Sequence, residues 1–457
     1  MAAHHVSPET PEERLIFWAI VGTWGLWLLG LPYIVYPLLG WGLAAIGLAR
    51  RLELMAAAPK DRVALASGVW LWIGGMLVLL LALLAGHIDY ELGALKTLKS
   101  AIGWMKGWAL IAIFMFAGAC LRIRPAVIYR ASNILALQML IVTPLFVAAA
   151  LAGVPKVFYT SPAMMLGGGG QEFFDVGPYL SDPGSLGFRL RYYAPWSPAA
   201  ALIANIGFVL ALYDKSAFWR CTGIAAAIVV SFMSQSRSAL VVLPVVIVVI
   251  PLLSTLARSK ALAIGAIVLT VAVLSLDQLT TMTQDLTAAF ADARADSSRV
   301  RATLQRIALH RWANEAPWFG HGIVERGPQL VEYMPIGSHH TWFGLLFVKG
   351  LVGFLALAVP MVWSLLELIG KAQADRTARA SLGVLLVIML YSFGENLEIL
   401  TYLMFPALIL VGIAMQRRFV NPWRARLGAR PETAERQPGF PTHVYQSLTG
   451  GYVPERV

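Results

Sequence analysis

Apolar residues run along this chain in long, nearly uninterrupted stretches with charges gathered at their ends. The stretches are about 17 to 25 residues long, the length at which an α-helix crosses the hydrocarbon core of a bilayer. Successive spans are read at Val63 to Ala85, Trp104 to Leu121, Asn133 to Leu151, Ala199 to Tyr213, Cys221 to Met233, Ala239 to Leu256, Ala261 to Leu276, Trp342 to Ile369, Ser381 to Phe393 and Ile399 to Met415. An earlier run, Leu15 to Ala49, is too long for one crossing and carries Pro32 and Pro37, so it predicts two short helices meeting near Tyr33. The sum is about 12 spans, interrupted by two long loops, 152–198 and 277–340.

Charge gives this pattern a direction. Basic clusters fall after every even span: Arg50, Arg51, Lys60 and Arg62; Arg122, Arg124 and Arg130; Lys215 and Arg220; Arg258 and Lys260; Lys371, Arg376 and Arg379; and Arg417, Arg418, Arg424 and Arg426. Short loops rich in Lys and Arg stay in the cytoplasm. Both termini are therefore expected there, and both long loops on the outer side. The segment before Leu15 is acidic and polar, unlike a signal peptide. The tail, 421–457, mixes charges with Pro and Gly and is expected to be a poorly ordered cytoplasmic extension.

Composition agrees: 58% hydrophobic and 13% charged residues exclude an ordinary soluble domain. The expected fold class is all-α, one polytopic integral membrane domain, 1–457, in contact with membrane lipids. Continuous runs argue against a β-barrel, whose strands alternate. The net charge of +11 is accounted for by the loops, so no nucleic-acid partner is expected. Cys120 and Cys221 form neither a disulfide framework nor a cysteine metal site, and the Trp residues, Trp70, Trp72, Trp104 and Trp108 among them, read as an interfacial belt.

Candidate chemistry lies on the outer side. In "SFMSQSRSALVVL" a fixed charge, Arg237, stands among polar residues at the turn between the seventh and eighth spans. The outer loops are also richer in arginine than that side requires: Arg189 and Arg191, then Arg294, Arg299, Arg301, Arg306, Arg311 and Arg326. Surface pairing with the loop's carboxylates explains part of that excess, and a subset converging on an anion is the sharper reading, because guanidinium grips phosphate oxygens bidentately. From Val300, apolar Leu304, Ile307, Ala308 and Trp312 recur on one face of a helix that Asp296, Ser297 and Ser298 can cap, expected to lie along the membrane surface. "NEAPWFGHGI" then forces a turn, and His339 and His340 stand where the chain re-enters the bilayer. Asp89 with Glu91, and Glu395 with Glu398, are the carboxylates a metal would need, but solvated pairs are as reasonable, and no metal or cofactor is expected. Lys349 is expected to snorkel or to pair with a carboxylate.

Taken in order, "SQSRSAL", "RVRATLQRIALHRWANEAPWFGHG" and "SHHTWFGLLFVKGLVGFLAL" resemble the O-antigen ligase and polymerase superfamily, over roughly Arg189 to Leu357. His339 matches the family histidine, and His340 takes the place of the asparagine that usually follows it. Arg301 fits the loop arginine best, in a register that leaves Arg299 to Arg306 open. The resemblance implies a GT-C-like membrane glycosyltransferase of the bacterial inner membrane. Its donor would be an O-antigen on undecaprenyl diphosphate and its acceptor a sugar hydroxyl of lipid A core, with the active site facing the periplasm. His339, Arg237 and Arg301 would be catalytic, and Arg237, Arg301, Arg191, Arg306 and His340 would bind the donor diphosphate. A polymerase or a protein O-oligosaccharyltransferase would share the donor chemistry. A lipid-linked glycan transporter fits less well, since transporters tend to carry internal symmetry and charges at the midplane.

Overall fold

The computed structural model of the chain describes residues 6–56, 64–181, 187–256, 295–337 and 340–417. Six described helices are long and apolar enough to cross a membrane: Pro32–Glu53, Ser67–Asp89, Ala94–Cys120, Pro125–Leu151, Thr341–Ala372 and Leu397–Gln416. Shorter apolar helices, Ser197–Leu212, Ala217–Met233 and Arg237–Leu253, pack with them, as does Arg376–Tyr391. The protein is an all-α polytopic membrane protein. The expected span Ala261 to Leu276, the tail 421–457 and the start of the second outer loop lie outside the described residues.

Local sequence explains where helices begin and bend. The first apolar run divides into Pro11–Val21, Thr23–Leu28 and Pro32–Ala56. The break falls at Gly30, ahead of the expected Tyr33, because Pro32 opens the next helix, where a missing N–H costs nothing. Exposed Leu77, Leu81, Ile141, Leu145, Val248 and Leu366 give the spans an apolar exterior, as a lipid-facing surface requires. The tryptophan group corrects the expectation of a belt. Trp70 is exposed, but Trp72, Trp104 and Trp108 are buried, with the indole of Trp72 donating to Ser364 Oγ at 2.7 Å and that of Trp104 to the Met76 carbonyl at 3.0 Å.

The described basic clusters gather at one end of the bundle. Arg124 binds Glu13 at 2.7 Å and Arg50 binds Glu12, which ties the amino-terminal helix to the ends of two spans. Buried Arg130 meets Asp214 at 3.0 Å, and Arg417 meets Asp375 at 2.7 Å. The first long loop, which carries two short antiparallel strand pairs, and the helix Ala295–Glu315 occupy the opposite end.

At that opposite end the helix Thr341–Ala372 is broken. Gly350 has φ +63° and ψ −165°, a non-helical backbone that kinks the chain at the level of Phe347 O, Val348 O, Leu351 N and Val352 N. The turn "PWFGHG" takes all four groups. Leu351 N donates to Pro317 O at 2.8 Å and Val352 N to Trp318 O at 3.1 Å, while His321 N and Gly322 N donate to Phe347 O and Val348 O at 2.8 and 2.9 Å. The glycines are there for space. A Cβ on Gly350 would stand 2.2 Å from the Trp318 oxygen, and one on Gly320 2.4 Å from Lys349 N.

Gly350→Ala should therefore abolish folding or lower the melting temperature sharply, since its backbone region is nearly closed to other residues. Gly74→Ala, where a Cβ meets nothing within 4 Å, should leave the melt within a few degrees of the parent. Thermal unfolding of the two variants in detergent checks this.

Candidate functional site

The break releases the first turns of Thr341–Ala372 to form one wall of a cavity of about 180 Å³. The helix Ala295–Glu315 supplies the facing wall. Of its predicted stripe, Val300, Leu304 and Ala308 are buried against Val331, Ile336, Phe347 and Val348 of the protein, and Ile307 and Trp312 are half-buried. That helix already includes Asp296, Ser297 and Ser298, which therefore do not precede its start. With the stripe fixed inward, Arg301 comes to the cavity rim beside Gln305. The remaining lining comes from Pro335, Gly337, His340, Phe343 and the turn Phe393–Gly394.

His340 is the helix cap. Its Nδ1 accepts from Trp342 N at 3.1 Å and Phe343 N at 3.4 Å, so the proton of the neutral ring sits on Nε2. Burial lowers its pKa from the usual 6.5 to about 4, which keeps the ring neutral at physiological pH. This explains how a histidine can fill the family's asparagine position: both residues offer an acceptor to the first free N–H groups of a helix. His339 lies outside the described residues.

The turn carrying Arg237 is held from three directions. Gln235, at φ +50°, donates from Nε2 to Phe188 O at 3.0 Å, Ser234 Oγ to Ser231 O at 2.9 Å, and Ser236 is hydrogen-bonded to the Tyr391 hydroxyl. Arg237 follows, half-buried, at the first position of Arg237–Leu253. Its neighbour Ser238 reaches the cavity edge, where a Cβ placed on Gly394 would stand 3.6 Å from Ser238 Oγ.

Two sequence candidates are placed elsewhere. Arg191 is buried, and its guanidinium donates to the carbonyls of Gly177, Pro195 and Asp175 at 3.0, 3.3 and 3.2 Å, holding the first outer loop in shape. Arg306 donates to Thr303 Oγ1 on its own helix at 3.2 Å and does not line the cavity. Lys349 lies within 3.5 Å of Glu398, the carboxylate pairing expected as one of its alternatives. Asp89 and Glu91 are exposed, and among the described residues no three His, Cys, Asp or Glu side chains come together as a metal site.

Sequence reasoning weighed Glu395, with Glu398, as a metal ligand or as one of a solvated surface pair. Its side chain is buried, and Oε2 accepts from Trp196 Nε1 at 3.0 Å. Burial raises its pKa from 4.5 to about 7, against the opposing pull of the Arg301 charge and the Trp196 hydrogen bond. The missed signal was its context, one carboxylate in the short turn "SFGEN" between two apolar helices.

Fold and cavity together define a helical membrane protein with a cationic, partly enclosed site at the end opposite its described basic clusters. Residues 222–358 match the family model described as O-Antigen ligase, a segment that carries Arg237, Arg301 and the whole of the broken-helix junction. Over that segment the chain is similar to the O-antigen ligase superfamily, a superfamily that handles lipid-linked glycans. No curated protein matches the chain.

Because the His340 ring serves the cap, His340→Asn should keep near-parental stability. His340→Ala should lose about 1 kcal/mol, the usual cost of deleting a cap acceptor. Chemical denaturation of both variants in the same micelle measures the difference.

Proposed function

We propose that the protein is an O-antigen ligase, joining a polysaccharide carried on undecaprenyl diphosphate to a sugar hydroxyl of lipid A core at the periplasmic face of the bacterial inner membrane. What carries this reading is Arg301: a guanidinium at the cavity rim that makes no ion pair among the described residues, inside the segment matching the family. A fixed cation with no ion pair among the described residues, beside a partly apolar cavity, is suited to an anionic ligand.

In the reaction, the acceptor oxygen bonds to the anomeric carbon of the donor sugar and the bond from that carbon to the phosphate oxygen breaks. The electron pair leaves with the diphosphate. Arginines at Arg301 and Arg237 would take up that charge through paired N–H groups, which stay protonated at any physiological pH. His339, which precedes His340 in the sequence, would join them as the family histidine. No metal is needed for this division of labour, because the leaving group's charge is met by side chains. Arg191 and Arg306 would support the site only from outside it.

With purified protein, a defined undecaprenyl diphosphate glycan and lipid A core, Arg301→Ala and Arg237→Ala should each slow transfer by roughly 30-fold to 1000-fold, as for loss of about 2 to 4 kcal/mol of leaving-group stabilisation. Lysine at either position should restore part of the rate, and EDTA should leave the parent unaffected. Glycan arriving on a second lipid diphosphate, or on a protein hydroxyl, with none on lipid A core would reassign the activity. A reporter fused after Gly322 should face the periplasm, and a cytoplasmic signal would remove the site from that compartment.

A further inference from the structure

We infer that the cavity is a subsite for one pyranose ring, the sugar bonded directly to the donor diphosphate, with Phe393 and Phe343 as its stacking surface and Gln305 as its hydrogen-bonding partner. The inference deepens the glycosyl transfer proposed above and rests on it.

The cavity wall is divided by chemistry. Arg301 and Gln305 lie one turn apart on the helix Ala295–Glu315, which sets a neutral amide beside the fixed charge on the same face. The aromatic side chains of His340, Phe343 and Phe393 come from the start of the broken helix and from the turn that precedes Leu397. Among the described residues no carboxylate lines the cavity. Between the two halves the backbone is bare: a Cβ on Gly344 would stand 2.5 Å from the Gly337 oxygen, so loop and helix meet there without side chains.

A pyranose ring carries the same division. Its hydroxyls exchange hydrogen bonds around the rim, while its axial C–H bonds form an apolar face that suits the negative face of an aromatic ring. A phosphate alone would leave the phenyl rings unused. An acyl chain would leave Arg301 and Gln305 without polar partners.

Phe393 is built as a surface for a ligand. It is a large apolar side chain, 58% exposed, in a turn that is fastened on both sides of it. The carbonyls of Ser392 and Glu395 both accept from Thr341 N, at 3.3 and 3.1 Å, and Trp342 Nε1 donates to Ser392 Oγ at 2.8 Å. Its ring lies 6.1 Å from that of Trp342 and 6.3 Å from that of His340, the latter edge-on at 79°, and the His340 ring is in turn 4.3 Å from Phe343. An exposed ring held this way pays little ordering entropy when a sugar settles on it. The Gln305 side chain makes no hydrogen bond among the described residues, so its carbonyl and its NH₂ are both available to ring substituents.

Placement says which sugar this is. The first sugar of the donor is joined to the diphosphate through its anomeric carbon. Once the diphosphate oxygens meet Arg301, that ring is the one brought to Gln305 and the phenyl rings across the same cavity of about 180 Å³. The cavity therefore reads the first sugar and is indifferent to the length of glycan beyond it.

The test titrates two probes into the full-length protein in micelles: a short-chain prenyl diphosphate carrying one hexose, and the same diphosphate carrying a methyl group in its place, which keeps the charge equal. The parent should bind the sugar-bearing probe about tenfold or more tightly than the methyl probe. Phe393→Leu, which keeps an apolar side chain but removes the ring face, should bring the two affinities close together, and Phe393→Tyr should restore the difference. Gln305→Ala should narrow it by about threefold to tenfold, the effect of one neutral hydrogen bond. Arg301→Ala should weaken both probes alike. A thermal melt of Phe393→Leu within a few degrees of the parent separates these losses from misfolding. Equal affinity of the parent for the two probes overturns the subsite, and so does a Phe393→Leu variant that keeps the parental preference, as an aromatic ring that merely faced lipid would. If both probes still bind through Arg301 in those cases, the proposed transfer stands and only this inference falls. A parent that binds neither probe removes the subsite, and one that also transfers no glycan removes the function with it.

Discussion

The structure depends on how a lipid-embedded chain treats its own backbone. Inside a bilayer an unpaired N–H or C=O costs several kcal/mol, so a helix can be interrupted only where other protein atoms complete its hydrogen bonds. The turn "PWFGHG" does this for the break at Gly350, accepting from two N–H groups and donating to two carbonyls. The His321 ring adds a contact to the Phe347 carbonyl at 3.0 Å and reaches Glu315 at 2.8 Å, so the end of the outer helix is fastened to the same point. Arg311 extends the fastening through Glu315 and Glu325. Two walls of the cavity hang from this junction. The freed helix start brings His340 and Phe343, and the outer helix brings Arg301 at a fixed angle.

That dependence gives the motif a physical meaning beyond resemblance. The proline and glycines after the loop helix, and the glycine that follows Lys349, are two sides of one interlock. A Cβ on either Gly320 or Gly350 would collide with backbone and not with a side chain that could rotate away. Backbone cannot yield by a rotamer change, so both positions are held to the smallest residue.

What could be read from sequence follows from the range of the forces involved. Hydrophobic runs and the charges between them act locally, and they gave the helical class, most spans and the segregation of basic clusters to one end. The stripe Val300, Leu304 and Ala308 was legible by period, whereas its partner was not: periodicity says that a face is buried, not whether lipid or protein buries it. Trp72, Trp104 and Trp108 show the same limit. The arginines divide in a similar way. Arg301 and Arg191 look alike in sequence as surplus charges in outer loops, yet one rims a cavity and the other is consumed by three carbonyls of its own loop. Glu395 was hidden for the opposite reason. Its burial is created by Trp196, almost 200 residues away (199), and by a helix start that exists only because of the break at Gly350.

One consequence of that turn concerns what the position can tolerate. Thr341 is attached to residue 395 through a peptide carbonyl, an atom that every amino acid possesses, while the side chain at 395 is left with one indole to satisfy. The turn is thus held by a backbone atom of a residue whose side chain stands apart from that attachment. Such a site is unusually open to redesign: side chains of similar length can be exchanged there to ask chemical questions of the cavity, with the architecture around them left standing.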